Sequence, residues 1–99
     1  MSFYRPVVWL GAHKAQVERL RQALQRYCQQ ELKDSSATVE VLPEEEFPDM
    51  LIAPVVISSE FRKLSATERQ ISVWKYMRKD PAVNREDLSA ISRIVTRAD

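Results

Sequence analysis

His13 and Cys28 are the only histidine and the only cysteine in the sequence. Nucleophilic catalysis needs a nucleophile, a base within reach and a group that orients the base. Cys28 shares a predicted helix face with Val17, Leu20, Leu24 and Tyr27, the setting of a buried, inert thiol. His13 stands near the start of that helix, where a surface position is expected. No glycine-rich phosphate loop can form, because Gly11 is the sole glycine. Catalysis is therefore not expected. One cysteine also excludes an internal disulfide and a cysteine-based metal cage. Glu44, Glu45, Glu46 and Asp49 form an acidic loop, but consecutive acids lack the spacing and glycine of a calcium loop. The loop reads as a solvated turn, and no cofactor or metal is expected.

The remaining chemistry is charge. Arg62, Lys63, Arg69, Lys75 and Lys79 gather around a predicted turn and the helix after it. The net charge of +1 gives no overall pull toward nucleic acid or acidic lipid. Burial cannot explain the lysines, since a buried lysine needs a partner to offset its desolvation. Arg62, Lys63, Lys75 and Lys79 are thus candidates for docking an acidic partner. The competing reading is a nucleic-acid module, against which Glu60 and Glu68 are interleaved with the cations. Arg19, Arg26 and Lys33, spaced by seven, mark the polar back of the first helix, either solvated or turned to an acidic partner.

Hydrophobic residues make up 44% and charged residues 29%, the balance of a folded domain. A single domain over 1–99 is expected, with its core at about 12–97 and an N-terminal arm at 1–11. Pro6 to Leu10 reads as a short extra strand or an apolar arm ended by Gly11. Through Val7–Leu10 such an arm can pair with a second copy. No run of apolar residues is long enough to span a membrane, and no signal peptide is evident, so a cytoplasmic setting is expected. Ala12 to Lys33 has helical periodicity. Thr38 to Leu42 is β-branched and reads as a strand closed by Pro43. Met50 to Ile57 is a second strand, where Pro54 suggests an edge or a bulge. Ser65-Ala66-Thr67-Glu68 is a capping box that opens a second helix, which Pro81 stops. On that helix Gln70, Val73, Trp74 and Met77 share the inner sector, with Ile71 at its edge. Phe61 and Trp74 are expected in the core. Asn84 to Asp87 looks like a helix start, and Leu88, Ile91, Ile94 and Val95 fit a helical stripe. Read the other way, Ile91, Arg93 and Val95 alternate with Ser92, Ile94 and Thr96 as in a strand, and local signals lean only slightly to helix.

Ser58, Phe61, Leu64-Ser65, Glu68-Arg69 and Val73-Trp74 resemble the signature of BolA-like proteins over roughly residues 16–96. That resemblance implies a class II KH-like α+β fold. Its order is α-β-β-α-α-β, with helices on one face of a three-stranded mixed sheet. It places a short helical turn at Ala82–Asp87 and the third strand at Ser89–Thr96. The family's usual histidine after the arginine is Gln70 here, and its usual glycine after the phenylalanine is Lys63. A cluster-ligating histidine at the start of the third strand is replaced by Ser89, and the loop from Pro43 to Met50 has neither histidine nor cysteine. The resemblance thus implies a regulatory or adaptor domain without an iron–sulfur cluster. The GxxG loop with which KH domains grip nucleic acid is absent.

Overall fold

The computed structural model describes residues 4–47 and 50–99. Its elements are α1 (Tyr4–Gln30), β1 (Thr38–Pro43), β2 (Ile52–Ile57), a 3-10 turn (Ser59–Lys63), α2 (Ala66–Lys79), α3 (Arg85–Ser89) and β3 (Val95–Arg97). The strands form one mixed sheet in the order β1-β2-β3, antiparallel between β1 and β2 and parallel between β2 and β3. The expected α+β class and three-stranded mixed sheet are both found.

The N-terminal expectation is corrected. Residues Tyr4 to Leu10 belong to α1, so Val7–Leu10 is neither a strand nor an arm able to add to a sheet. Pro6 lies in the first turn, where backbone N–H groups have no helical acceptor to lose. Gly11 sits inside the helix and does not break it. A glycine there costs only about 0.5–1 kcal/mol against alanine. The first residues of the expected N-terminal arm, 1–3, lie outside the described residues. The helix stops at Gln30 rather than Lys33. Wide-turn bonds from the Leu32 N–H to the Tyr27 carbonyl (3.3 Å) and from the Asp34 N–H to the Cys28 carbonyl (3.0 Å) close it. Lys33 takes a left-handed φ of 53° between them.

Val17, Leu20, Leu24, Tyr27 and Cys28 are all buried, as their shared face predicts. They meet Val73 and Met77 of α2 and Ile52 and Val56 of β2 in one core. The register places Val39 opposite Val56 and Val41 opposite Pro54, so these residues share the helix-covered face. Thr38, Glu40 and Leu42, on the other face of β1, are exposed.

Pro54 lies in the central strand, not at an edge. Ile52 and Ser58 donate toward the β3 side, to the Ala90 and Arg97 carbonyls (2.9 Å each). Alternation along the strand puts the nitrogen of Pro54 on that same side. There, Ala53 and Pro54 face three residues, Ser92, Arg93 and Ile94, between the Ile52–Ile91 bridge and the Val55–Val95 pair. The missing donor coincides with a bulge, which is the second of the two expected sites for a strand proline. The bulge also splits the expected strand. Only Val95–Arg97 is continuous, and Ser89 ends α3 instead of opening a strand. The Asn84 start signal is correct: its side chain accepts from the Asp87 N–H (2.7 Å) in a second capping box.

Candidate functional site on the second helix

Ser58, Phe61 and Arg69 build the joint that aims α2. The Ser58 hydroxyl donates to Asp34 Oδ2 (2.6 Å) and accepts from the Glu60 N–H (3.1 Å), capping the 3-10 turn. Hydrogen bonds from Ser36 and then Ser58 hold the Asp34 carboxyl below its usual range. Phe61 is fully buried against Tyr27. Arg69 Nε donates to the carbonyls of Phe61 (2.9 Å) and Leu64 (3.1 Å), and its guanidinium lies 5.7 Å from the Phe61 ring centroid. This cation is spent on satisfying backbone acceptors. The capping box then starts α2, with Ser65 Oγ accepting from the Glu68 N–H (3.1 Å) and Glu68 Oε1 accepting from the Ser65 N–H (2.8 Å).

The helix phase differs from the expectation. The Tyr27 hydroxyl and Ser72 Oγ are hydrogen-bonded (2.8 Å), which turns Ser72 toward α1. Ile71 is correspondingly turned out and is 60% exposed. Trp74, expected in the core, is only partly buried; its indole N–H donates to Gln70 Oε1 (3.2 Å). Gln70 Nε2 donates to the Ile94 carbonyl in the bulge (2.7 Å), which accounts for a polar residue on the inner sector.

Ile71 and Lys75 form a ridge between two grooves. One, of about 350 Å³, is lined by Glu31, Glu68, Ser72, Tyr76 and Lys79 beside the ridge. The other, of about 490 Å³, is lined by Gln70, Trp74 and Arg78. Arg78 stands 6.0 Å from the Trp74 ring centroid. Lys75, Arg78 and Lys79 are exposed and make no ion pair with another described residue.

The four cations singled out from sequence do not act as one patch. Lys75 and Lys79 line the ridge and groove. Arg62 and Lys63 are exposed on the 3-10 turn and line neither groove. Lys63 donates to Glu60 Oε1 (2.8 Å), which raises its pKa. Arg78, Ile71 and Trp74 were missed as surface. The periodicity of α2 held the signal for Arg78, but a rotation of the helix by less than one residue step, which keeps Val73 and Met77 buried, hid the other two.

Other charged residues pair with one another within the chain. Arg19 grips Asp87 with two bonds (2.8 and 2.7 Å), and Arg26 grips Asp80 (3.1 and 2.8 Å). For Arg19 and Arg26 the acidic partner is therefore the chain itself, while Lys33 is exposed. Glu44 accepts from Ser92 Oγ (2.5 Å) and lies 3.6 Å from Arg93. The Ser92 hydrogen bond is the main cause of its lowered pKa. Burial pushes the Cys28 thiol up to about 11, consistent with an inert group. Among the described residues no three acidic, histidine or cysteine side chains are grouped to hold a metal ion, and no helix is long and apolar enough to cross a membrane. No family model, curated protein or solved structure matches this chain.

Proposed function

We propose that this chain is a non-catalytic regulatory or adaptor domain that works by binding a protein partner on the outer face of α2. One observation carries the reading: exposed Ile71 and partly exposed Trp74 lie among three cations that pair with no acid among the described residues. Apolar side chains bounded by charge have the anatomy of an interface centre with its rim. The resemblance to BolA-like proteins, with Ser58, Phe61 and Arg69 working as one joint, supports the regulatory role. The missing ligands, at Ser89 and in the Pro43–Met50 loop, support a role without a cluster. A cytoplasmic setting belongs to the same proposal. Lys63 drops to a secondary place because Glu60 already neutralises it, and Arg62 goes with it. Binding of nucleic acid by this face is disfavoured by Glu31 and Glu68, which line one groove with the cations.

Affinity capture from native lysate with the parent chain and with a Lys75→Glu/Arg78→Glu/Lys79→Glu variant tests the proposal. Specific partners should be lost from the variant and should elute with salt, because steering and rim attraction are electrostatic. Equal capture by both proteins refutes the assignment of this face. A gel shift of RNA or DNA that depends on the same three residues would favour the nucleic-acid reading instead.

A further inference from the structure

We propose, resting on the α2 docking reading, that the partner presents an amphipathic helix with acidic residues beside its apolar ridge, and that this helix comes from a different protein. The ridge formed by Ile71 and Lys75, four residues apart, lies between two grooves that share it. Rows of side chains at i and i+4 that fit into such grooves are the commonest way two helices pack, crossing at about −50°. An extended segment would find no backbone partners here, since the N–H and C=O groups within a helix are already bonded to each other.

Charge sets the sign of the partner. Lys75 stands in the ridge and Lys79 and Arg78 line the grooves on either side of it, while Glu31 and Glu68 line only the groove nearer α1. The Glu68 carboxylate is already engaged by the Ser65 backbone N–H. Acidic residues along both edges of an incoming apolar stripe therefore meet cations.

The chain's own helices are poor occupants. Tyr4 to Lys14 in α1 contains Arg5, His13 and Lys14 and no acid. A second α2 would set the same cations against each other. α3 has five residues, and its Asp87 is buried against Arg19. Self-association through this face is thus mismatched in charge or length.

A displayed library of random 16-residue peptides, selected on the intact protein with an Ile71→Asp variant as counter-selection, tests the inference. Ile71 is exposed, so the variant should fold. A Lys75→Glu/Arg78→Glu variant provides the independent check. Enriched peptides should carry apolar residues at i, i+4 and i+7 with flanking Asp or Glu, and should gain helical circular dichroism on binding. Either variant should weaken them at least tenfold. Peptides that need Ile71 but bind extended, or carry basic flanks, would overturn the partner assignment while leaving α2 as the docking face. No enrichment, or enriched peptides indifferent to both variants, would overturn the docking reading as well.

Discussion

Removing Arg19 should cost more than neutralising Asp87, although Asp87 is the more buried partner. The Asp87 side chain is 0% exposed and that of Arg19 is 41% exposed. Among the described residues, Arg19→Ala leaves the Asp87 carboxylate with only the Gln16 amide and the Asn84 N–H, both at 3.3 Å. A buried ion left without its partner costs on the order of 3–5 kcal/mol. The lower end applies, because water can enter the half-exposed space that Arg19 vacates. About 3 kcal/mol corresponds to a melting temperature lower by roughly 12–24 °C for a domain of this size. Asp87→Asn instead frees an arginine that can turn into water, for about 1–2 kcal/mol. Arg19→Met with Asp87→Leu should recover part of the loss, since no charge is then stranded.

The pH dependence of this pair has a definite sign. Burial raises the Asp87 pKa, but hydrogen bonds from Arg19, the Asn84 N–H and Gln16 outweigh it, and the net value is lowered. The stability it contributes is complete above the unfolded pKa, about 4, and is lost as pH falls through the lower folded value. In Arg19→Ala the dominant raising cause meets weaker opposition, so the folded pKa should rise above the unfolded one. That variant should lose stability as pH climbs from about 4 to 7. The gap between parent and variant is then widest at pH 7 and narrows toward pH 4. Urea titrations at both pH values measure it. A constant gap, or a loss under about 1 kcal/mol at pH 7, would show that Asp87 is effectively solvated.

Ser65→Ala should remove about 1 kcal/mol through loss of the cap, read as a lower thermal midpoint. Phe61→Ala should cost roughly 3–5 kcal/mol, whereas partly exposed Trp74 should lose no more than about 2 kcal/mol on truncation; equal losses in denaturant melts would place Trp74 in the core. Cys28 should resist thiol reagents at pH 8 until denaturant is added, because its pKa is pushed up to about 11; prompt native labelling would refute its burial. The protein should stay colourless when mixed with a monothiol glutaredoxin under cluster-assembly conditions, and a visible absorbance band from a bridged cluster would contradict that.

The elements that could be read in advance are those whose causes are local. Both helix starts at Ser65 and Asn84 rest on side chains three residues from their partners. The inner face of α1 follows from one period. What could not be read depends on partners far along the chain. The Arg19–Asp87 and Arg26–Asp80 clasps join residues 68 and 54 positions apart. Their one sequence trace is that Arg19 and Arg26 share the sevenfold spacing of Asp80 and Asp87. The outward turn of Ile71 follows from the contact between Tyr27 and Ser72, which periodicity cannot reveal. The helical state of Val7–Leu10 was hidden because β-branched residues, a proline and a glycine all argue locally against helix, while continuity with a long helix argues for it.

The mixed sheet divides its assembly into a near and a far step. β1 and β2 are joined through residues 44–51, but β2 reaches β3 only after residues 58–94 have folded over the sheet. Just over two doublings of loop length add roughly 1.2 kcal/mol of closure entropy to the second pairing. β3 repays this with three paired residues and the bond from the Ser58 N–H to the Arg97 carbonyl. The sheet should therefore breathe from its β3 edge, with amide hydrogens at Ser58 and Arg97 exchanging sooner than those at Glu40 and Leu42, whose pairing with Val55 and Ala53 turns their N–H groups toward β2. Because Ser58 also anchors the joint beneath α2, each such opening loosens the support of the helix that carries the docking ridge.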